Sequence, residues 1–314
     1  MSKHKIILDT DPGIDDAMAI FFAFQHPDID VLGLTTVYGN VPVEMAAQNA
    51  LRLCDLAEQD IPVTQGVAMP WVGPESTYAH FVHGENGFGD IPIQAPKRAL
   101  DPRPAAQFIV DMARQYPGEI TLVAVGPLGN LATALHLEPN LPNLIKQVYI
   151  MGGAAFVKGN VTPLAEANIW NDAHAAAKVF AADWSLTMFG LDVTYDIPFE
   201  PDFVNILAKA NPTLGGFVRD SSQFYMNFYS QGQDERVCYF HDVFPLAYLV
   251  QPDIFGFTQG HAKIGVGEVD RGQTSIAPMG TTHSPIWLDA PKVNVATYFE
   301  RTALVELLIE IYSL

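Results

Sequence analysis

The chain has 314 residues, of which 49% are hydrophobic and 17% charged, so its composition is that of a globular protein and not of a disordered one. Its net charge of −18 argues against a nucleic-acid partner, because an acidic surface repels phosphates. No apolar run approaches the ~18 residues of a membrane span, and the apolar run ahead of Asp9 is too short for a signal peptide. With Cys54 and Cys238 both in apolar contexts, we expect reduced thiols, a cytoplasmic location and no membrane contact.

Apolar runs and helical periodicities alternate along most of the chain. In chain order they predict a strand Lys5–Asp9, a helix Asp16–Gln25, a strand Val31–Val37, a helix Val43–Leu56, a short strand Ile61–Val63, an irregular segment Gly66–Pro104, a helix Ala105–Gln115, a strand Ile120–Val125, a helix Asn130–Leu137 and a strand Gln147–Met151. Then follow a loop Phe156–Asn171, a helix Asp172–Ala182, a strand Leu186–Leu191, helical residues Glu200–Ser230, an irregular stretch Arg236–Asp242, a helix Val243–Val250, a hairpin Phe255–Ile276, a strand Val293–Tyr298 and a helix Thr302–Ile311. This alternation predicts an α/β fold: one domain over residues 1–314 with an open, mostly parallel, doubly wound sheet flanked by helices and a small antiparallel embellishment.

The most informative stretch is KIILDTDPGIDD, which contains the first predicted strand and the turn that follows it. It places four carboxylates in eight residues, those of Asp9, Asp11, Asp15 and Asp16. Like charges at this spacing repel one another, and a hard divalent cation with oxygen ligands relieves the repulsion. The alternative is that Asp15 and Asp16 favour a helix N-terminus while the other two belong to the turn. Clustering of four carboxylates favours the metal site.

Further candidate site residues, most of them with a carboxylate, amide or carbonyl oxygen, follow the other predicted strands. In a parallel sheet the carboxyl ends of the strands share one edge, so these groups are expected to converge there. They are Asn40, the backbone carbonyl of Val125, Met151, and downstream Asn160, Glu166, Asn168, His241 and Asp242. Several of them have another interpretation: Asn40 as a turn residue, Asp242 as a helix cap, and Glu166 and Asn168 as solvated loop residues. His241, like His83 earlier in the chain, could be a surface or buried structural histidine.

An acidic, amide-lined site around a cation suits a polyhydroxyl ligand such as a sugar. Such a site would also stabilise positive charge on the sugar, as glycosidic cleavage through an oxocarbenium-like transition state requires. The sequence offers no serine or cysteine nucleophile with a matching base and no phosphate-binding loop of the G-x-x-x-x-G-K type.

Motifs along the whole chain resemble the nucleoside hydrolase family of the inosine-uridine-preferring type. DTDPGIDDAMAI is similar to the family's N-terminal D-x-D-P-G-x-D-D motif. Later blocks match in order: TVYGN, HGENGFG, VAVGPLGNLATAL, IMGGA, GNVTPLAEANIWNDAHAA and FHDVFPLAY. The resemblance departs at Tyr38, where a small residue is expected and which we expect to narrow the pocket, and at Gly129, where the family often has threonine.

The resemblance implies a calcium ion and a set of site residues. The Ca²⁺ ligands would be Asp11, Asp16, Asp242 and the carbonyl of Val125, with Asp9 close by, and the 2′ and 3′ hydroxyls of the ribose and one water would complete the shell. Asp11 would be the general base for that water, and Asn168 would stabilise the cationic sugar. Ribose would be bound by Asp15, Asn40, Glu166, Asn168, Asn160 and Met151, and the base side would be lined by His83 and His241, with His241 as proton donor to the leaving base.

The resemblance also implies a ribonucleoside substrate, hydrolysis to free base and ribose, a salvage role, and a homodimer or homotetramer. His83 and His241 together favour an enzyme that accepts pyrimidines or several bases. Tyr229 and Gln233 would contact the base or lie on a helix surface, and we expect Gly73–Asp90 and Phe224–Tyr239 to form a lid. The rival interpretations are a phosphotransferase with Asp9 as nucleophile and a nucleoside-binding protein without catalysis.

Overall fold

The structure, a computed structural model, describes residues 3–73, 78–231 and 235–314. One mixed sheet runs through this part of the chain. Its strands are β1 (His4–Thr10), β2 (Ile29–Thr36), β3 (Val63–Gln65), β4 (Ile120–Ala124), β5 (Gln147–Met151), β6 (Leu186–Phe189), β7 (Phe255–Ile264), β8 (Thr274–Pro278) and β9 (Lys292–Phe299). They are ordered β3-β2-β1-β4-β5-β6-β9-β7-β8. All neighbours from β3 to β9 are parallel, and β7 pairs antiparallel with both β9 and β8.

Helices connect the strands. They are α1 (Ile14–Gln25), α2 (Val43–Leu56), α3 (His80–His83), α4 (Ala105–Gln115), α5 (Gly129–Leu137), α6 (Leu141–Leu144), α7 (Ala167–Asn171), α8 (Ala173–Phe180), α9 (Leu191–Thr194), α10 (Pro201–Ala210), α11 (Leu214–Tyr229), α12 (Val243–Val250), α13 (Pro285–Leu288) and α14 (Arg301–Tyr312), with a 3₁₀ turn at Pro252–Ile254. Within the described ranges, none of them is long and apolar enough to cross a membrane.

Helices cover both faces of the sheet, as the packing of β1 shows. Its side chains alternate between the faces, as in any strand. Ile6 and Leu8 pack in the core that includes α1, α11, α12 and α14, whereas Ile7 packs in the core that includes α4, α5 and α8. A strand with both faces buried is a continuous apolar run, which is the pattern of Ile6, Ile7 and Leu8.

The central strand β1 lies between β2 and β4 and is parallel to both. After β1 the chain adds β2 and β3 on one side of it and then β4 on the other. Where the strand order switches sides in this way, a crevice opens at the carboxyl ends of the strands. Asp9 and Thr10 are the last residues of β1, and the acidic turn that follows lies in this crevice. The site is thus placed by the topology of the sheet.

The predicted fold class is confirmed, with local differences. The first helix begins at Ile14 and not at Asp16, so Asp15 and Asp16 lie in its first turn. The predicted loop Phe156–Asn171 contains α7, and the irregular segment Gly66–Pro104 contains α3. The helical region Glu200–Ser230 is two helices, α10 and α11, separated near Asn211, and the predicted hairpin is the antiparallel pair β7 and β8.

Candidate active site

Three buried carboxylates from distant parts of the chain meet at the end of β1. Asp15 and Asp16 come from the first turn of α1, and Asp242 immediately precedes α12. One carboxylate oxygen from each lies within 4.8 Å of the others. The Asp242 side chain makes no capping hydrogen bond to α12, so the interpretation of Asp242 as a helix cap is not supported. Asp16 does serve its helix, because its Oδ2 accepts a hydrogen bond from the backbone N–H of Gly13 at 2.9 Å.

Asp11 lies beside this cluster, in a space bounded by two glycines. Its Oδ2 accepts the backbone N–H of Asn40 at 2.7 Å. A Cβ at Gly39 would lie 2.0 Å from Asp11 Oδ2, and one at Gly126 would lie 2.5 Å from Asp11 Oδ1. The glycines of the TVYGN and VGPLGN motifs thus leave room for this carboxylate. Asn40 also joins Asp11 to Asp16, because its Nδ2 donates to Asp16 Oδ2 at 3.0 Å.

The cluster has the donor set of a site for a hard cation. Its groups are carboxylates with the Val125 carbonyl nearby, and oxygen-only sites suit Ca²⁺ or Mg²⁺. Oδ1 of Asp11 and Oδ1 of Asp15 are buried and have no hydrogen-bond partner in the part of the chain that the structure describes. In the same residues, no lysine or arginine forms an ion pair with the cluster. Buried carboxylates without a partner are costly, and a bound cation would offset that cost.

The electrostatics follow from burial and like charge. Burial, with Asp16 adding repulsion, raises the pKa of Asp15 to about 8. The pKa of Asp11 is raised for the same reasons, and that of Asp242 by burial and by Asp15, Asp16 and Asp11 in turn. Protons stabilise such a cluster when no cation is bound, so cation and proton compete for it.

The short helix α7 and its N-cap supply further residues that line the cavity. Glu166 is its N-cap: its Oε1 accepts Asn168 N–H at 2.8 Å, and its Oε2 accepts the N–H groups of Ile169 at 3.2 Å and Gly153 at 2.8 Å. Asn168 Nδ2 donates to the carbonyls of Val125 at 2.9 Å and Met151 at 3.1 Å. The amide is therefore oriented by its nitrogen, which leaves its Oδ1 for a ligand.

Two buried histidines, His83 and His241, also line the cavity. His83 Nδ1 accepts the backbone N–H of Ile14 at 3.2 Å. His241 contacts Thr194 Oγ1 through Nδ1 at 2.8 Å and the Tyr229 hydroxyl through Nε2 at 3.3 Å. Burial lowers the pKa of each imidazole to about 3, so both are neutral near pH 7.

Two tyrosines of α11 connect the histidines with the carboxylates. Tyr225 donates from its hydroxyl to Asp15 Oδ2 at 3.3 Å, and its ring lies 5.3 Å from that of His83. Tyr229, four residues further along the same helix face, contacts His241. Sequence reasoning identified Tyr229 and missed Tyr225, although the four-residue spacing of the two tyrosines was available as a signal.

The predicted residues converge on a cavity of about 160 Å³. It is lined by Asp15, Asn40, His83, Val125, Met151, Asn160, Glu166, Asn168, His241 and Asp242, all predicted, together with Ala79, Phe81, Val82, Val161, Ala167, Tyr195, Tyr225 and Phe228. Asp11, Asp16 and Tyr229 lie behind this lining and hydrogen-bond to residues in it.

Of three further predicted residues, Asn160 lines the cavity, Tyr38 does not, and Gln233 is not among the described residues. Asn160 is exposed, and its Oδ1 accepts the backbone N–H of Ala167 at 3.0 Å. Tyr38 does not narrow the cavity: it is buried away from it, with its hydroxyl donating to the Asn171 carbonyl at 3.3 Å. Gln233 lies in residues 232–234, which the structure does not describe.

Comparison with known proteins identifies the family to which the chain belongs. Residues 6–306 match the family model described as inosine-uridine preferring nucleoside hydrolase. The chain belongs to the nucleoside hydrolase family. It is therefore an enzyme, a ribonucleoside hydrolase, and the phosphotransferase alternative is removed.

Relatives and solved structures of this family agree over nearly the whole chain. Uridine nucleosidase 1 of Arabidopsis thaliana is 38% identical over 87% of this chain and 82% of its own length. The structure of a plant nucleoside hydrolase aligns with a TM-score of 0.95 at 35% identity, covering 99% of both chains. A purine-preferring ribonucleoside hydrolase from Gardnerella vaginalis aligns with a TM-score of 0.91 at 29% identity, covering 98% of both chains. The nucleoside hydrolase fold thus accompanies different base preferences.

Proposed function

We propose that this nucleoside hydrolase is calcium-dependent and that it cleaves the N-glycosidic bond of ribonucleosides, releasing base and ribose. The observation that carries the proposal is the buried cluster of Asp15, Asp16 and Asp242, two members of which line a cavity that two neutral histidines also line. Oδ1 of Asp15 and Oδ1 of the neighbouring Asp11 are buried without a hydrogen-bond partner among the described residues. A carboxylate floor suits ribose hydroxyls, and imidazole donors suit a heterocyclic base.

Asp11, Asp16, Asp242 and the Val125 carbonyl would hold the Ca²⁺, and the structure adds Asp15 as a neighbour close enough to share in it. When bound, the ion makes a water a stronger acid and fixes the two vicinal ribose hydroxyls. Asp11 is the proposed general base. Its Oδ1 is buried and without a partner among the described residues, while its Oδ2 is held by the Asn40 N–H. One oxygen is thus fixed and the other is left to take a proton from the attacking water.

The sugar is proposed to lie between the cluster and α7. Asp15, Asn40 and Glu166 would accept or donate hydrogen bonds at the ribose hydroxyls, Met151 would pack beside the ring, and Asn160 would reach the 5′ hydroxyl. Asn168 is oriented by its donations to the carbonyls of Val125 and Met151, so its Oδ1 can face the developing positive charge of the sugar.

The leaving base is proposed to lie between His83 and His241. His241 is neutral at pH 7 because burial lowers its pKa to about 3, so its work as an acid requires the proton on Nε2. Thr194 Oγ1 at 2.8 Å from Nδ1 can donate to that nitrogen and thereby favour the Nε2–H tautomer. Tyr229, whose hydroxyl lies 3.3 Å from Nε2, would hold the ring of His241 in this orientation.

We further propose uridine among the substrates, in line with the similarity to uridine nucleosidase 1 of Arabidopsis thaliana. The role would be salvage of nucleosides. A cytoplasmic location fits the two free, buried cysteines, and we propose a homodimer or homotetramer. The single sheet through the described chain supports one domain over residues 1–314.

The test is ribose release from uridine, cytidine, inosine, adenosine and guanosine, with added Ca²⁺ and with chelator. Asp11→Ala should lower turnover by at least ~10²-fold, the usual contribution of a general base, while nucleoside binding measured calorimetrically is retained. Asp11→Asn serves as the isosteric control and should lose turnover equally. Full turnover of either variant would remove Asp11 as the base, and chelator-insensitive wild-type activity would remove the calcium proposal.

A further inference from the structure

Asn49 is a completely buried polar residue of α2 that lies outside the cavity. Its Nδ2 donates to the carbonyls of Pro12 at 3.1 Å and Asn86 at 3.0 Å. Its Oδ1 accepts from Arg52 Nη1 at 2.7 Å. Every hydrogen-bonding group of this side chain is therefore used, and both of its donors point at irregular backbone.

The Pro12 carbonyl belongs to the turn that carries the metal-site carboxylates. Asp11 precedes it, and the next residue, Gly13, donates its N–H to Asp16. A buried carbonyl in a turn has no ladder partner and is costly when unpaired. The Asn49 amide satisfies it and fixes the turn from behind.

The Asn86 carbonyl belongs to the loop that carries His83. This loop is braced by its own side chains: Asn86 Oδ1 accepts the N–H groups of Phe88 at 2.8 Å and Asp90 at 3.1 Å, and Asp90 Oδ1 accepts that of Glu85 at 2.7 Å. Gly87 has a φ of 83°, and a Cβ there would lie 2.7 Å from Asn49 Nδ2. The loop is therefore braced by its own side chains and approaches Asn49 closely.

One amide group thus joins the turn at the metal-site floor to the loop on the base side. The only other hydrogen bond between these two segments in the described residues is that from Ile14 N–H to His83 Nδ1. We propose that Asn49 is a positioning residue that couples the carboxylate turn to the His83 loop, so that occupation of the cation site orders the base side. This inference rests on the proposed calcium site.

Asn49→Asp is the sharpest test, because it is isosteric, keeps an acceptor for Arg52 and removes both donations. Arg52→Met is the matched control: it removes the donor to Oδ1 and leaves both donations intact. Titration with Ca²⁺ alone, followed calorimetrically, should show Ca²⁺ binding weakened by about tenfold in Asn49→Asp, the size expected for loss of the hydrogen bond to the Pro12 carbonyl of the carboxylate turn. Ca²⁺ binding should be unchanged in Arg52→Met.

The KM for uridine gives a second readout on the same variants. The KM should rise in Asn49→Asp. His83→Ala should raise the KM by a smaller factor in the Asn49→Asp background than in the wild type, because the two residues act on one loop. A purely structural role would lower the melting temperature and leave Ca²⁺ affinity and this coupling as in the wild type. That result, in a folded variant, would overturn the inference. A wild-type protein that binds no Ca²⁺ would instead overturn the calcium proposal.

If Asn49→Asp fails to fold, amide hydrogen exchange of the wild-type protein tests whether the carboxylate turn and the His83 loop are coupled. Gly89 N–H is bonded to the His83 carbonyl at 2.8 Å and reports on the loop. Addition of Ca²⁺ should slow exchange in residues 84–90 as well as in 11–16. Slowed exchange in 11–16 with no change in 84–90 would show that the cation site and the base side are not coupled.

Discussion

The backbone N–H of Ile14 donates to Nδ1 of His83 at 3.2 Å, and this contact settles which imidazole nitrogen carries the proton. With the pKa of His83 lowered by burial to about 3, the ring is neutral at pH 7. Its proton must then be on Nε2, since Nδ1 is already an acceptor. The helix that carries Asp15 and Asp16 thus also makes His83 a hydrogen-bond donor to whatever lies in the cavity.

This relationship predicts how acid affects stability. The unfolded chain protonates His83 near pH 6.5, whereas the folded protein resists protonation until about pH 3. Stability is therefore lost as pH falls from 6.5 towards 3. The melting temperature, measured calorimetrically with Ca²⁺ present, should fall less between pH 7 and pH 4 for His83→Gln than for the wild type. His136→Gln, at an exposed helix position, is the control and should behave as the wild type. A His83→Gln curve parallel to the wild-type curve would contradict the neutral buried imidazole.

Removal of the cation should destabilise the protein more at pH 8 than at pH 5. Burial raises the pKa of Asp15 from 3.8 to about 8, so without a cation the folded state keeps a proton that the unfolded state releases. The contribution of Asp15 to the stability of the metal-free protein is then largest below about pH 4 and is lost as pH rises from 4 to about 8. Melting curves in chelator and in Ca²⁺ at both pH values measure the difference. A gap between chelator and Ca²⁺ that is no larger at pH 8 would show that protons do not replace the cation.

The role of His241 can be separated from binding by choice of leaving group. His241→Ala should lower kcat for uridine by ~10²–10⁴-fold, the range of a general acid. The same variant should hydrolyse 4-nitrophenyl riboside at nearly the wild-type rate, because the nitrophenolate leaves without a proton. Thr194→Val should show a weaker form of the same pattern, since it removes only the partner of Nδ1. Equal losses on both substrates would mean that His241 acts on the sugar or the fold.

Discrimination against deoxyribose follows from the carboxylate floor. 2′-Deoxyuridine lacks a hydroxyl that the cluster and Asn40 would bind, and buried polar groups left without a partner are costly. Its kcat/KM should be lower than that of uridine by ~10⁴-fold. Uridine and 2′-deoxyuridine share the same base, so the ratio of their rates reports on the sugar site alone. A ratio within tenfold would place the ribose away from the cluster.

The lid remains a prediction, and one aromatic contact makes it testable. The exposed ring of Phe81 lies 5.6 Å from that of Phe228, so the described parts of Gly73–Asp90 and Phe224–Tyr239 touch at the cavity mouth. An iminosugar that mimics the transition state should slow amide exchange in 78–90 and 224–231. Phe81→Ala should weaken that protection and Phe156→Ala, also exposed, should not. Equal exchange with and without the mimic would rule out a lid.

Sequence alone predicted the fold class, which the structure confirms, and most of the residues that line the cavity. The apolar run Ile6–Leu8 is typical of a strand buried on both faces, and the acidic turn after such a strand is expected at the sheet edge. Motif order then placed Asp242, Asn168 and His241 in one family's site, and the cavity contains all three.

The tertiary structure decided what depends on contacts between distant segments. Asp15 and Asp16 meet Asp242 from a distant part of the chain, and Asp11 lies beside them with its Oδ2 bonded to the backbone N–H of Asn40. The proton position on His83 is set by a backbone N–H 69 residues away in the chain. The link made by Asn49 joins two carbonyls whose positions no periodicity encodes. Such features arise only when the folded chain brings a particular donor to a particular acceptor, and a linear pattern of residue types does not contain that geometry.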